Sequence, residues 1–558
     1  MKKIILILLI GLLYDSAWAQ DKYAIMLTDK NNSPYSFANP SAYLSQLAIN
    51  RRVQYGIALD SMDLPVNPNY IAALQNAGAI ILNTSKWLNS VTVDVSGNAN
   101  ALGTILTLPF VKQAIVAARP LPPVADHNKF SFEMQSLEQK QTSLQKVAAV
   151  SSFYNYGNAL NQIQMLNGDK LHDLGYRGNG KIIAILDAGF YNADNMTAFD
   201  SLRANNRIIA TYDFVSHDTN VYDDHTHGAM CFSIIGANDP GNIVGTAPEA
   251  SFLLFRSEDA FTEKLIEEYN WATAAEVADS AGADVISSSL GYSVFDDASM
   301  NHTYADMNGR TTPISIAANM AARKGIIVVS SAGNEGNSAW HYITAPADAD
   351  SILTIGAVDA SGAYASFSST GPSFDGRIKP TVVAQGQGTF VSDPFSNIVF
   401  AGNGTSFSCP VIAGLATCLW QAFPMANNMQ IISAIIQSAS QYNNPDSLLG
   451  YGIPDFDSAK STLLSVFNPF AGYDDFIKSV YPNPFNDLVN IDFYADSNRK
   501  YELDVFDITG KKVVSSDGVF QPYTLSSISL NTTLWSKGVY VIRIITNKGV
   551  YKARLVKQ

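Results

Sequence analysis

Cysteine is scarce in this chain, with three residues (Cys231, Cys409, Cys418) among 558. Three thiols cannot build a disulfide scaffold; at most one bridge can close, and one thiol is then left over. Positive charge is also short: 36 Lys and Arg against 49 Asp and Glu give a net charge of −13. That removes nucleic-acid binding, because affinity for phosphates needs a basic face. After residue 20 no run approaches 18 unbroken apolar residues, so no membrane-spanning helix is expected in the mature chain. Long polar tracts are missing too. A chain that is 47% hydrophobic and only 15% charged is expected to fold, and 558 residues are too many for one ordinary core. Two to four domains are predicted.

What is present divides the chain into five stretches. In residues 1–19, Lys2 and Lys3 precede an apolar run, and Ala17-Trp18-Ala19 supplies a small-x-small cleavage site, which reads as a secretory signal peptide. Residues 20–150 begin as a small α+β unit, with strands predicted near 23–27, 79–82 and 91–93 and a helix near 40–51. Arg119-Pro120-Leu121-Pro122-Pro123 then breaks all periodicity. A Gln/Lys/Ser-rich stretch over 135–146 follows, and together they read as an exposed, cleavable connector.

Residues 151–460 carry continuous apolar runs at 181–186, 284–286, 325–329 and 352–358, separated by helical stretches such as 261–281 and 314–323. Strands buried on both faces and alternating with helices predict an α/β domain with a doubly wound parallel sheet. Polar residues and glycines gather where those runs end, which is where such sheets place their sites. After a linker over 461–479, short strands near 489–494, 501–506, 539–545 and 550–556 predict an antiparallel, all-β (Ig-like) sandwich over 480–558.

The chemistry is concentrated in Gly404-Thr405-Ser406-Phe407-Ser408-Cys409-Pro410, which puts a serine just ahead of an apolar, helix-spaced run, with Pro410 expected early in that helix, where its missing N–H costs nothing. A serine at the positive end of a buried helix lies among unpaired N–H groups able to stabilise an oxyanion. Such a hydroxyl needs a base, and the base needs an orienting partner. All seven histidines precede Ser406, which excludes the order Ser, Asp, His and leaves Asp, His, Ser. His227, followed by Gly228 at the entry to an apolar stretch, is the best base. Asp187, at the end of Ile185-Leu186-Asp187, is the best orienting acid. Asn334, in Ala332-Gly333-Asn334-Glu335-Gly336, can donate an amide to the oxyanion. His225 and His227 beside Asp223 and Asp224 also form a His-x-His pair of the kind that binds zinc. The triad is the better use of His227, and no metal site is assigned.

These segments resemble the subtilisin-like serine proteases, the subtilase family (peptidase S8). Ile185-Leu186-Asp187-Ala188-Gly189 resembles the family's Asp motif, His227-Gly228 its His motif, and Gly404 to Pro410 its Ser motif. The resemblance implies Asp187, His227 and Ser406 as catalytic triad, and Asn334 as oxyanion-hole donor. It also implies Ser289, Leu290, Gly291, Ala332 and Gly333 as substrate-binding residues, the first three by pairing with the substrate backbone. Ala229 and Met230 depart from the His motif, and Cys231 falls where some subtilases carry a thiol beside the catalytic His. No cofactor is implied for catalysis. Structural calcium is common in the family, but no ligand set transfers to these residues.

Within 20–150, residues 21–118 resemble, more weakly, a subtilase propeptide, both chaperone and inhibitor, and the remainder a cleavable linker, with processing expected between Arg119 and Ser151. The tail is similar to the C-terminal sorting domain of type IX secretion cargo. The similarity rests on Val480-Tyr481-Pro482-Asn483-Pro484-Phe485, Phe506-Asp507-Ile508-Thr509-Gly510-Lys511 and Gly538-Val539-Tyr540. The expected partners are therefore protein or peptide substrates, the chain's own propeptide and the type IX secretion machinery. The expected location is extracellular or cell-surface, after passage across an outer membrane. The expected function is a secreted serine endopeptidase, made as a zymogen and acting through an acyl-enzyme. Two alternatives are a catalytically silent surface adhesin on the same fold and a serine esterase.

Overall fold

The computed structural model describes residues 21–120, 128–133, 152–467, 475–521 and 524–558. The expected signal peptide and most of the expected connector, including 135–146, lie outside the described residues. The chain divides into two compact units, 1–460 and 461–558.

The first unit opens with an antiparallel sheet in the order β2-β3-β1-β4, made of β1 (Lys22–Leu27), β2 (Ile80–Ser85), β3 (Ser90–Asp94) and β4 (Val111–Ala118). The single helix expected near 40–51 is in fact a 3-10 turn, Pro40–Ala42, followed by a helix at Gln46–Tyr55. The side chain of Ser45 accepts from Ala48 N–H at 3.2 Å and so starts the helix afresh. One side of this sheet packs on the helix Ile266–Ala281 through Ala24, Ala117, Ala118, Ile266 and Tyr269.

The rest of the unit is built on a seven-stranded parallel sheet ordered β13-β12-β11-β10-β5-β9-β6. Its strands are β5 (Ile182–Asp187), β6 (Ile208–Asp213), β9 (Ser251–Arg256), β10 (Val285–Ser288), β11 (Ile327–Ser331), β12 (Leu353–Val358) and β13 (Val382–Gln385). Two hairpins flank it, β7 (Asn238–Asp239) with β8 (Ile243–Val244), and β14 (Gln387–Ser392) with β15 (Val399–Asn403). Alternate residues Ala184, Leu186, Leu253, Phe255, Ile286 and Val328 share a core with the helices Ile266–Ala281 and Pro313–Arg323. The helices His227–Gly236 and Thr405–Ala422 are also buried, the latter packed on β10 to β13. The chain runs outward from β5 to β6 and β9, then crosses to β10 and continues the other way. The carboxyl end of β5 is therefore the switch point, where a crevice opens in doubly wound sheets.

Two helix starts differ from expectation. The stretch 261–265 is a loop, because Asp259 accepts from Phe261 N–H and Thr262 Oγ1 and holds a turn there. Pro410 sits in the interior of Thr405–Ala422, not at its entry. Proline cannot donate to the carbonyl four residues back. The freed Ser406 carbonyl accepts instead from Ser289 Oγ at 2.8 Å and Cys231 Sγ at 3.4 Å.

The second unit contains a three-stranded sheet, β16-β17-β20, and a four-stranded sheet, β19-β18-β21-β22, both antiparallel. The strands are β16 (Phe476–Tyr481), β17 (Leu488–Ala495), β18 (Arg499–Asp507), β19 (Lys512–Phe520), β20 (Thr524–Asn531), β21 (Gly538–Thr546) and β22 (Val550–Lys557). Val489, Ile491 and Phe493 of one sheet meet Leu503, Val505, Ile542 and Ile544 of the other in one core, the period of two that a sandwich requires. Asn483 ties the Tyr481–Phe485 segment to the last strand, donating to Arg554 O at 2.8 Å and accepting from Val556 N–H at 2.9 Å.

Candidate active site

Three of the parallel sheet's neighbours deliver the polar groups to one place. Asp187 ends β5 and is fully buried. Its Oδ1 accepts from Ala188 N–H at 2.7 Å and from His227 Nδ1 at 2.6 Å. His227 opens the helix His227–Gly236, and Gly228 lets that helix come down on the strand end. A Cβ at Gly228 would lie 2.4 Å from Gly189 O and 2.9 Å from Asp187 Cβ, closer than any real side chain packs.

Ser406 lies in the first turn of Thr405–Ala422, and Asn334 just beyond β11. Asn334 Oδ1 accepts from Thr405 N–H at 2.9 Å and Thr405 Oγ1 at 3.0 Å. With its oxygen so held, the amide nitrogen is turned toward the serine.

One carboxylate joins all of these groups, and it comes from the stretch expected to be an exposed connector. Glu133 is buried. Its Oε2 is 2.7 Å from His227 Nε2, and its Oε1 accepts from Ser406 Oγ at 2.8 Å and Asn334 Nδ2 at 2.6 Å. Phe130 stacks on the His227 ring with centroids 3.9 Å apart. Residues 128–133 therefore fill the crevice. Burial opposes charge on His227, but Asp187, Cys231 and Glu133 around it push its pKa well above the ordinary value of 6.5. Each ring nitrogen faces a carboxylate oxygen, an arrangement that favours the imidazolium.

The surrounding cavity, about 240 Å³, is lined by Ser289, Leu290, Gly291, Gly333, Asn334 and Ser406 among others. Ala332 stands behind that wall, buried with Ile343 and Ala347. His225 Nδ1 accepts from His227 N–H at 3.2 Å, and its ring lies 5.3 Å from that of Phe130. Cys231 Sγ lies 3.9 Å from His227 Nε2, and burial pushes its thiol up to about 11. All three cysteines are free and buried. Among the described residues, ligand atoms cluster closely enough for a metal at Asp187, His227 and Cys231 and at Glu258, Glu263 and Glu267. The first set is already engaged as described.

Sequence reasoning missed Glu133, Phe130 and the holding role of Thr405. The only trace of the first two is Phe130-Ser131-Phe132-Glu133, an apolar interruption in an otherwise polar connector.

A parallel α/β sheet whose strand ends gather an acid, an imidazole, a hydroxyl and an amide donor is the layout of a serine hydrolase. Comparison with known proteins narrows that class. Residues 178–452 match the subtilase family, residues 22–150 the peptidase S8 propeptide domain of Bacteroidota, and residues 479–558 a secretion system C-terminal sorting domain. Similar curated proteins include a thermostable alkaline protease of Halalkalibacterium halodurans, 27% identical over 52% of this chain and 70% of that one. A thermophilic serine proteinase of Bacillus sp. (strain AK1) is 31% identical over 51% of this chain and 62% of its own length. Subtilisin DY of Bacillus licheniformis is 28% identical over 53% of this chain and 97% of its own. The central region of the chain is thus similar to the subtilase family, with a match to a propeptide domain before it and to a sorting domain behind. The sorting domain indicates export and an extracellular or surface location. Among the described residues no helix is long and apolar enough to cross a membrane.

Proposed function

We propose that the protein is an exported serine endopeptidase held latent by its own propeptide until residues 128–133 leave the crevice. The observation that carries this reading is the Glu133 carboxylate, which touches His227 Nε2, Ser406 Oγ and Asn334 Nδ2 at once. A planar group in contact with base, nucleophile and amide donor marks where a scissile carbonyl would sit.

With Glu133 gone, His227 Nε2 takes the Ser406 proton as Oγ attacks the carbonyl carbon. Asp187 keeps Nδ1 protonated and balances the imidazolium that forms. The oxyanion is met by Asn334 Nδ2 and by the Ser406 N–H, which lies in a first helical turn and has no partner within the helix. His227 then gives its proton to the leaving amine, and water releases the acyl group by the same steps in reverse order. Protein and peptide substrates would lie along Ser289, Leu290, Gly291 and Gly333. These residues handle every proton and charge in the cycle, so no cofactor is needed for the chemistry.

The test is casein hydrolysis by the processed protein and by Ser406→Ala whose propeptide has been removed with an added protease, then inactivated. Loss of kcat by ~10⁶-fold is expected, the scale subtilisins show. Turnover that survives the substitution would refute the assignment.

A further inference from the structure

Beside the catalytic centre lies a second cluster of charge that the reaction just described does not use. Glu258 follows β9, Glu263 lies in the next loop, and Glu267 stands in the first turn of Ile266–Ala281. Their carboxylate oxygens lie within 4.8 Å of one another. Like charges so close are costly to bury without a cation. The cation here is Lys129, from the same segment as Glu133. Its Nζ is 2.5 Å from Glu258 Oε1, 2.8 Å from Glu267 Oε2 and 3.1 Å from Glu263 Oε2, with its side chain 9% exposed. Tyr292 adds its hydroxyl, donated to Glu258, and its ring, 5.8 Å from the ammonium. One oxygen, Glu263 Oε1, is buried with no hydrogen-bond partner. Glu258 and Glu263 line the same cavity as Ser406 and Asn334.

We propose that Glu258, Glu263 and Glu267 form a specificity pocket that takes a lysine or arginine side chain of the substrate, on the acyl side of the scissile bond. The proposal rests on the peptidase reading above. The segment enters the crevice with Lys129 first and reaches the reacting groups at Glu133, so a chain approaching from the acyl side passes the pocket before the serine. Burial pushes Glu263 up to about 8 and Glu267 well above the ordinary carboxylate value, so the cluster carries less than three negative charges, while its oxygens, the unpartnered Glu263 Oε1 among them, offer acceptors for the further N–H groups of a guanidinium. Departure of the segment empties it, and the group chemically closest to what left is a basic side chain.

The test uses the enzyme after its own processing, with peptides carrying Lys, Arg or norleucine at each of the residues preceding the cleaved bond. Lys or Arg at one position is expected to raise kcat/KM ~10-fold or more over norleucine, the lower end for close ion pairs. That ratio falls toward one in Glu263→Gln and returns in large part in Glu263→Asp. A measurement that needs no variant runs beside it. The hexapeptide Asn128–Glu133 should inhibit the wild-type enzyme, and the same peptide with norleucine for Lys129 should inhibit ~10-fold less. Cleavage without any basic preference, with equal inhibition by both hexapeptides, overturns the pocket and leaves the peptidase reading standing. A basic preference erased by added calcium would assign the carboxylates to a divalent ion and overturn it equally. A processed chain that neither cleaves nor reacts with a fluorophosphonate overturns both readings.

Discussion

Among the propeptide's contacts with the peptidase domain, the one on the helix Ile266–Ala281 and the one at Glu133 place charge in opposite ways. On the helix Ile266–Ala281 the propeptide brings the cations and the domain the carboxylates. Arg51 and Arg52 reach Asp279 at 2.6 and 2.7 Å, while Glu276 accepts from Ser85 Oγ and the N–H groups of Lys86 and Trp87. At Glu133 the propeptide brings the carboxylate and the domain supplies imidazole, hydroxyl and amide, while Lys129, four residues earlier, repeats the first arrangement against Glu258, Glu263 and Glu267. The first contact uses groups with no part in the proposed reaction. The second occupies the groups proposed to react. On the proposed reading, a segment held this way can leave the crevice while the rest of the propeptide remains docked.

The comparison can be broken most sharply at Asp279. In a Ser406→Ala background, where self-processing stops, Asp279→Ala would leave Arg51 buried without a carboxylate and Arg52 with Asp63 alone. A loss of ~3–5 kcal/mol is expected in denaturant unfolding of the unprocessed chain. A loss below ~1 kcal/mol would mean that these pairs do not carry the docking. Glu133→Ala should act differently. With Ser406 intact, it removes hydrogen bonds that water entering the crevice can replace, so activity should appear sooner while the unfolding midpoint stays close to that of the parent. Equal effects on both readouts would erase the distinction between the two contacts.

The pH dependence separates them more gently. Burial would raise Asp279, but Lys86, Arg51 and Arg52 hold it down to about 2. Its folded pKa is depressed, so its contribution is present above the ordinary carboxylate range and is lost as pH falls toward 2. His227 is raised, so the grip of Glu133 on it is fully present below the ordinary histidine value and is lost as pH rises through the raised one. Acid should therefore loosen the docked body and alkali should open the crevice. Initial rates of activation measured across pH, beside the unfolding midpoint, would expose any failure of this opposition.

Much of this could be read from residues alone. Continuous apolar runs ending in Asp187, Ser288 and Ser331 announced a buried parallel sheet and the edge where its site lies. Glycine-flanked polar residues at those ends and at helix entries drew attention to His227, Asn334 and Ser406. In the tail, β17, β18, β21 and β22 were legible from alternating apolar residues, whereas β16, β19 and β20 carry too many polar residues to announce themselves. The missing parts of the site share one cause. Glu133 is separated from Ser406 by 273 residues, and no local pattern distinguishes it from a solvated acid in a connector. Glu258, Glu263 and Glu267 likewise belong to a loop end, a loop and a helix start, so their convergence is purely tertiary. Pro410 was misplaced because its cost depends on Ser289 and Cys231 accepting a role that the sequence does not display.

The most direct measurement is the rate at which a fluorophosphonate labels Ser406 in the wild-type chain before and after the propeptide is lost, with the site mapped by mass spectrometry. Slow labelling before loss and fast labelling after it, at Ser406 alone, is the result predicted by a catalytic serine covered by Glu133. Equal rates in the two forms, or labelling at another residue, would contradict it.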